Sequence, residues 1–399
     1  MNTTTGSLSG LRVLDLSRIL AGPYCAMMLG DLGADVIKVE SKSGDDTRHW
    51  GPPFLGTESA YYLGVNRNKR SMAVDLSIAE GREIVAELMK QSDVLIENFK
   101  VGTLERWGFD EDWFAAHTPG LVRCSITGYG PTGPRRDSPG YDFILQAESG
   151  LMSICGEPNG EPMKYGVAVV DLATGMFACI AILAALNVRG QTGRGQKIDV
   201  SLLESGLALL ANVASNSLIS KKDAERYGNG HPNIVPYRTF SVQGGHIALA
   251  IGNDQQFNRF ATMIGRTDWL DDPRFSTNSA RVKNRDVVDW QVGDALKDGT
   301  LETWLERLKA IGIPCGKVNS VAAALSEPQT LAREMVQSLH HEHLGAFHTL
   351  GIPMKLSDTP GSIRRAPPLL GEHTDVLLRE VLGRSADEIA SLRASGGVA

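Results

Sequence analysis

The chain has 399 residues, 42% of them hydrophobic and 22% charged, with a formal net charge of −6. This length exceeds one ordinary core and suggests two domains. The acidic balance gives no general argument for nucleic-acid binding, so any phosphate site must be built locally.

Short β-branched runs alternate with helical patterns along the first half. Residues 12–16 (RVLDL) read as a buried strand, and Gly22-Pro23 opens a helix with proline in its favoured first turn. Gly33 ends that helix, and residues 36–40 (VIKVE) form the next strand, completing a βαβ unit. Residues 72–76 read as a further strand, and Ser77-Ile-Ala-Glu80 as a capping box at the start of a helix over 78–89. Strands are expected over 94–96, 121–126 and 197–202, with a long helix after Asp171. Repeated βαβ units imply a mostly parallel sheet covered by helices. The polar, turn-rich stretch beginning near Lys221 leads to an expected strand over 246–251 and amphipathic helices such as 301–311 and 321–325. The expected organisation is a large Rossmann-like α/β domain from residues 1–202 and 330–399, a linker helix over 203–224, and a smaller α+β domain over 225–329.

Two segments bear on location. The opening MNTTTGSLSG lacks a basic region followed by an apolar stretch, so no signal peptide is expected. The run 172–188 is nearly all apolar, but it is shorter than the roughly 20 residues of a membrane span. It also contains Gly175 and is bracketed by Asp171 and Arg189, so it reads as a buried core helix. The five cysteines, Cys25, Cys124, Cys155, Cys179 and Cys315, are odd in number and form no CxxC pair. That pattern argues against a disulfide framework or structural zinc and for a reducing, cytoplasmic setting.

GYGPTG at 128–133 matches a dinucleotide fingerprint and follows a strand, but Pro131 and Pro134 interrupt it and no apolar helix follows. It reads as a surface loop. Asp171 follows the apolar stretch 167–170 and precedes the long helix. The free N–H groups and positive end of that helix favour an ionised carboxylate there. Such a group is either a nucleophile toward a thioester or an N-cap that only stabilises its helix. Lys38, Lys42, Arg48, Arg67, Lys69, Arg70, Lys100 and Arg106 are either a polyphosphate-binding set or a solvated face. Trp50, Tyr61, Tyr62 and Tyr141 either wall a small pocket or pack the core. His231, His246 and His373 show no metal spacing, so no metal site is expected. No GxSxG elbow is present, which argues against a serine hydrolase.

These segments together resemble family III CoA-transferases nearly end to end. The similar stretches are LRVLDLSRILAGPYC, LGADVIKVE, NRNKRS, VLIENF, SITGYGPTGP, VDLATGMFA, TGRGQKIDVSLLES, GIPCGKV and RAPPLLGEHTD, in that order. The resemblance implies Asp171 as covalent nucleophile. It implies CoA contacts at Leu20, Ala21, Asn98, Phe99 and Lys100, with Arg106 on a phosphate, and a substrate pocket of Trp50, Tyr61 and Tyr141. It implies an interlocked homodimer, acyl-CoA and a free carboxylic acid as substrates, and no membrane or permanently bound cofactor. Leu20 replaces a glutamine of formyl-CoA transferase, which argues against formate and oxalate. Ser41 and Pro139 stand where that enzyme has a CoA-contacting arginine and lysine. The racemases of the family carry histidine in an AGHD motif, whereas this chain has PGYD at 139–142. Tyrosine, with a pKa of about 10, is a poor proton carrier, so transfer is favoured over racemisation. Stretches 45–69, 233–240 and 252–257 are similar to the type that uses succinyl-CoA and glutarate, which implies dicarboxylates. Arg48, Arg67 and Arg238 are all candidates for holding a second carboxylate, and the loop 228–232 is either a donor loop over the site or a linker turn.

Overall fold

A computed structural model describes residues 6–399. The reading of the N-terminus as free of a signal peptide falls partly on residues 1–5, which lie outside the described residues. The chain divides into one unit of Met1–Gly150, Tyr165–Leu209 and Pro328–Ala399, and a second of Leu151–Lys164 and Leu210–Glu327.

In the first unit the apolar runs become strands of one parallel sheet: β1 (Arg12–Asp15), β2 (Asp35–Glu40), β3 (Lys69–Ala73), β4 (Val94–Glu97), β5 (Val122–Thr127) and β6 (Lys197–Ser201). Their order is β3-β2-β1-β4-β5-β6, with Val13 opposite both Val36 and Val94. Val13, Leu14, Ile37, Val94 and Ile96 are fully buried, as both faces of a parallel sheet require. Each such side chain contributes about 1.5–3 kcal/mol on burial.

Helix α1 (Ala21–Asp31) follows β1. Pro23 lies in its first turn, where a missing N–H costs nothing, and Gly33 at φ +116° turns the chain into β2. Helix α2 (Ala79–Lys90) connects β3 to β4. Helix α3 (Asp142–Glu148) precedes the long helix α4 (Val169–Thr192), and α5 (Leu202–Leu209) follows β6. The buried face of α4 is mostly small: Ala173, Thr174, Gly175, Ala178, Cys179 and Ala185. This lets α4 approach α1 closely. A Cβ at Gly175 would stand 2.6 Å from the Ala21 carbonyl oxygen, so Gly175→Ala would force the two helices apart. The other face exposes Met176, Phe177, Ile180 and Val188. By length and composition α4 could cross a membrane, with a mean hydropathy of 2.2 and 44% of its apolar window buried.

The chain end packs in the first unit, with Val398 bridged to Val74 and the Asn68 N–H donating to the Arg365 carbonyl. In the second unit, Tyr237–Val242, Gly245–Ala250 and Cys315–Lys317 form an antiparallel sheet. Its core includes Phe257, Phe260, Trp269 and Phe275.

Several expectations need correction. The strand expected at 72–76 is β3, starting at Lys69. The charged residues Lys69 and Arg70 at its start hid the beginning of the strand. Both are buried, with Lys69 paired to Asp15 and Arg70 to Asp35. The Ser77 capping box does not form: α2 has Ile78 at its N-cap, and the Ser77 hydroxyl donates to Asp75 instead. The linker helix expected over 203–224 is two helices, α5 and Ala211–Ser220, with the division between units at Leu209/Leu210. Leu151–Lys164 groups with the second unit rather than the first. Asp171 is not an N-cap, because α4 begins two residues earlier at Val169.

Candidate active site

The strand order places a crevice at one end of the sheet. The chain moves outward from β1 through β2 to β3, then returns to β4 on the other side of β1. Ligands of open α/β sheets bind where the order reverses, beyond the C-terminal ends of the strands. Here those ends lead into residues 16–20 after β1 and 98–102 after β4.

A cavity of about 340 Å³ lies at this position. Its walls include Leu20 and Ala21 from the start of α1, and Asn98, Phe99, Lys100 and Arg106 from the segment after β4. Tyr141, before α3, and Asp171, in the first turn of α4, line the same cavity. Residues as far apart in the chain as Leu20 and Asp171 are therefore brought to one surface by the topology. The fingerprint-like loop contributes as well. Gly128 and Gly140 touch so closely that a Cβ on Gly128 would meet the Gly140 Cα at 2.7 Å, which closes the loop and presents residues 136–141 to the cavity.

Asp171 is a half-buried carboxylate whose pKa is pushed up to about 7, first by burial and then by the negative charge of Asp142. The helix end does not hold it ionised, contrary to the sequence expectation. The N–H groups of Val170 (2.9 Å) and Asp171 (3.3 Å) donate instead to Oδ1 of Asp142. Asp142 is fixed in turn by Gln146, whose Nε2 donates to Oδ2 at 2.6 Å. Asp142 is thus the capping carboxylate of α4, a role sequence reasoning missed. Its signal was an aspartate at the head of a short helix, separated from α4 by an irregular stretch.

The eight basic residues fall into two groups rather than forming one set. Lys38, Arg48, Arg67 and Lys69 are buried and ion-paired: Lys38 with Asp45 (3.0 Å), Arg48 with Glu40 (2.7 Å), Arg67 with Asp31 (2.6 Å) and Lys69 with Asp15 (3.0 Å). Arg70 pairs with Asp35 (2.6 Å) and Lys42 with Asp75 (3.6 Å). Apart from Lys42, which is exposed, these residues are neither a solvated face nor a phosphate site, because their donors are already committed. Arg48 and Arg67 are therefore not available to a second substrate carboxylate. Lys100 and Arg106 are exposed, line the cavity and have no carboxylate partner among the described residues. Arg18 and Arg136 also line the cavity and were missed as site residues.

The aromatic residues separate too. Tyr62 is fully buried, and Arg48 donates to its hydroxyl at 2.6 Å, so it is a core residue. Trp50 and Tyr61 meet edge to face at 5.4 Å but do not line this cavity. Tyr61 is still close enough to Asp171 to feel its charge: burial and then Asp171 push the Tyr61 hydroxyl up to about 12. Tyr141 is 60% exposed. Arg238, His231 and His246 belong to the second unit, where Arg238 pairs with Asp289 at 3.1 Å. Among the described residues no cluster of acids, histidines and cysteines could hold a metal ion.

The model of CoA-transferase family III matches residues 8–374. Among curated proteins, the chain is 42% identical to human succinyl-CoA:glutarate CoA-transferase, over 98% of this chain and 90% of that one. It is 43% identical to succinate–glutarate CoA-transferase of Agrobacterium fabrum, over 94% and 95% respectively. A crystal structure of a CAIB/BAIF family protein from Brucella suis matches with a TM-score of 0.83 at 44% identity, covering 94% of this chain and all of that one.

Proposed function

The chain belongs to CoA-transferase family III, and from that premise we propose that it moves CoA from succinyl-CoA to glutarate or a related dicarboxylate, using Asp171 as covalent nucleophile. The observation that carries this reading is the position of Asp171: a half-buried carboxylate lining one cavity with Leu20, Ala21, Asn98, Phe99, Lys100 and Arg106.

In the proposed mechanism a carboxylate oxygen of Asp171 attacks the carbonyl carbon of the donor thioester. The C–S bond breaks, leaving a mixed anhydride and the CoA thiolate. The thiolate attacks the aspartyl carbonyl, forming an aspartyl-CoA thioester and releasing succinate. The acceptor carboxylate attacks that thioester, and the released thiolate then takes the new acyl group from the second anhydride, restoring Asp171. Each step exchanges one activated acyl group for another, so the chemistry calls for neither ATP nor a metal. A poorly hydrated carboxylate with pKa near 7 is more nucleophilic than an ordinary one while remaining substantially ionised at neutral pH. Lys100 and Arg106 would hold CoA phosphates by charge-assisted bonds. Asn98 gives both ends of its amide to the Arg18 backbone, so its part in CoA binding is to tie the two loops together. Trp50, Tyr61 and Tyr141 are proposed to shape the acyl pocket.

The resemblance to the family further supports an interlocked homodimer, and the exposed apolar face of α4 is a surface such a dimer would cover. Five free cysteines are compatible with a cytoplasmic setting. The test is incubation of the protein with succinyl-CoA and a panel of acids, glutarate first, with products identified by mass spectrometry and hydroxylamine used to trap the aspartyl intermediate. Glutaryl-CoA formed without ATP, with the trapped adduct on Asp171, is the expected result. Absence of any transfer would overturn the reading. Sedimentation gives the oligomeric state, with a dimer that survives dilution expected.

A further inference from the structure

Ile19 has φ +73°, a left-handed conformation that a β-branched residue adopts only when its surroundings impose it. It lies between β1 and α1, immediately before Leu20 and Ala21, which line the cavity with Asp171. Side chains from three other parts of the first unit grip the backbone on either side of it. Asp45 accepts the Ile19 N–H with both carboxylate oxygens at 3.2 Å. Lys38 Nζ donates to the Ser17 carbonyl at 2.9 Å and to Asp45 Oδ2 at 3.0 Å. Asn98 accepts the Arg18 N–H at 3.0 Å and donates to the Arg18 carbonyl at 2.8 Å. The side chains of Lys38 and Asp45 are both fully buried, and Asp45 also accepts from the Thr47 N–H and hydroxyl.

We propose that the buried Lys38–Asp45 pair is a positioning device, which locks Ile19 in its left-handed conformation and so sets the first turn of α1 against Asp171. The inference rests on the proposed transferase reaction but names residues outside its chemistry. A buried ion pair contributes little net stability by comparison with apolar packing, so its presence directly under a strained turn calls for another reason. The geometry supplies one. Relaxing Ile19 to negative φ would swing Leu20 and Ala21 relative to α4, whose Gly175 already packs against the Ala21 carbonyl with no room for a Cβ. In transfer reactions a misplacement of about 1 Å at the reacting groups costs on the order of 100-fold in rate.

The test uses Asp45→Asn, which keeps the side-chain volume and one acceptor oxygen. Its kcat should fall by roughly 100-fold, with the KM for succinyl-CoA moving much less. Adding Ile19→Gly should recover at least part of that loss, because glycine takes positive φ without a clamp. Adding Ile19→Val should recover none of it. A merely structural role for Asp45 would not distinguish these two second substitutions when rates are taken per folded molecule, well below the melting temperature. An unchanged kcat in Asp45→Asn, or a loss that glycine does not relieve, overturns the proposal. Hydrogen exchange of the peptide 16–24 reads the clamp without reference to activity: slow exchange in the unsubstituted protein and fast exchange in Asp45→Asn are expected, and equal rates overturn it. If the unsubstituted protein transfers no CoA, the functional reading fails and this exchange result alone decides the clamp.

Discussion

Two neighbouring regions of the first unit treat charge in opposite ways. Beneath the start of α1, every buried carboxylate has a cation or several donors. Burial alone would raise Asp15, Glu40 and Asp45, but Lys69, Arg48 and Lys38 and the adjoining donors more than offset it, and all three lie below the usual carboxylate range. In the neighbouring cavity, half-buried Asp171 has no cation acting on it and is raised to about 7 by desolvation and Asp142. The cations there, Lys100 and Arg106, are exposed and unpaired with acids among the described residues. Paired charges hold the scaffold, and unpaired ones are left for ligand and chemistry.

The sharpest way to break this comparison is at Asp171. Asp171→Asn keeps the shape and removes the nucleophile, and transfer should fall by about three orders of magnitude or more. Hydroxylamine should then trap nothing at this position. Residual activity within tenfold of the unsubstituted rate would remove Asp171 from the chemistry.

The paired region should respond in stability instead. Arg48→Met leaves Glu40 and Glu58 buried without their common cation, and breaking a buried pair on one side costs about 3–5 kcal/mol. The expected outcome is a markedly lower urea midpoint. The carboxylates also fix a pH dependence. Groups lowered on folding stabilise the protein above their unfolded pKa and lose that contribution as pH falls through the folded value, so unfolding should set in on acidification and begin at higher pH in Arg48→Met. A variant as stable as the parent would mean the layer is not organised by its charges.

At the open cations the effect is smaller and falls on binding. Lys100→Ala and Arg106→Ala should each raise the KM for succinyl-CoA roughly tenfold, as loss of one charge-assisted contact implies, while kcat and stability change little. Each should also weaken the dependence of KM on salt. Arg67→Met, by contrast, should act on stability, since Arg67 is held by Asp31.

This division was only half visible in the sequence. The βαβ rhythm was legible because strands β1, β2, β4 and β5 are largely apolar runs, whereas their order in the sheet came only from the structure. β3 was misplaced because Lys69 and Arg70 look like surface residues until Asp15 and Asp35 are known to face them. For the same reason the eight basic residues could not be sorted: a sequence gives their number, and only the fold gives their partners. Asp171 stood out by its setting before a long apolar helix, yet its ionisation was misjudged because Asp142, 29 residues away, takes the helix N–H groups. The clamp around Ile19 had no local signal, since φ depends on Asp45 and Lys38 from later elements.

The smallest predicted effect separates the two causes of the Asp171 shift. Burial is the larger, and the charge of Asp142 is the second. Asp142→Asn preserves an oxygen that can accept from Val170 and Asp171 and removes the charge. The acid limb of kcat/KM, expected near pH 7 because the carboxylate form attacks, should move down by about one pH unit. The linkage has the same sign. Asp171 rises on folding from 3.8 to about 7, so across that window the folded state keeps a proton that the unfolded state has released. Stability from this group therefore falls as pH rises through the window and is level above it. With Asp142 neutral the window narrows from its upper end, so the slope between pH 6 and 7 should flatten in the variant. A pH profile and a slope identical to those of the unsubstituted protein would assign the whole shift to burial, and would reduce Asp142 to a helix cap.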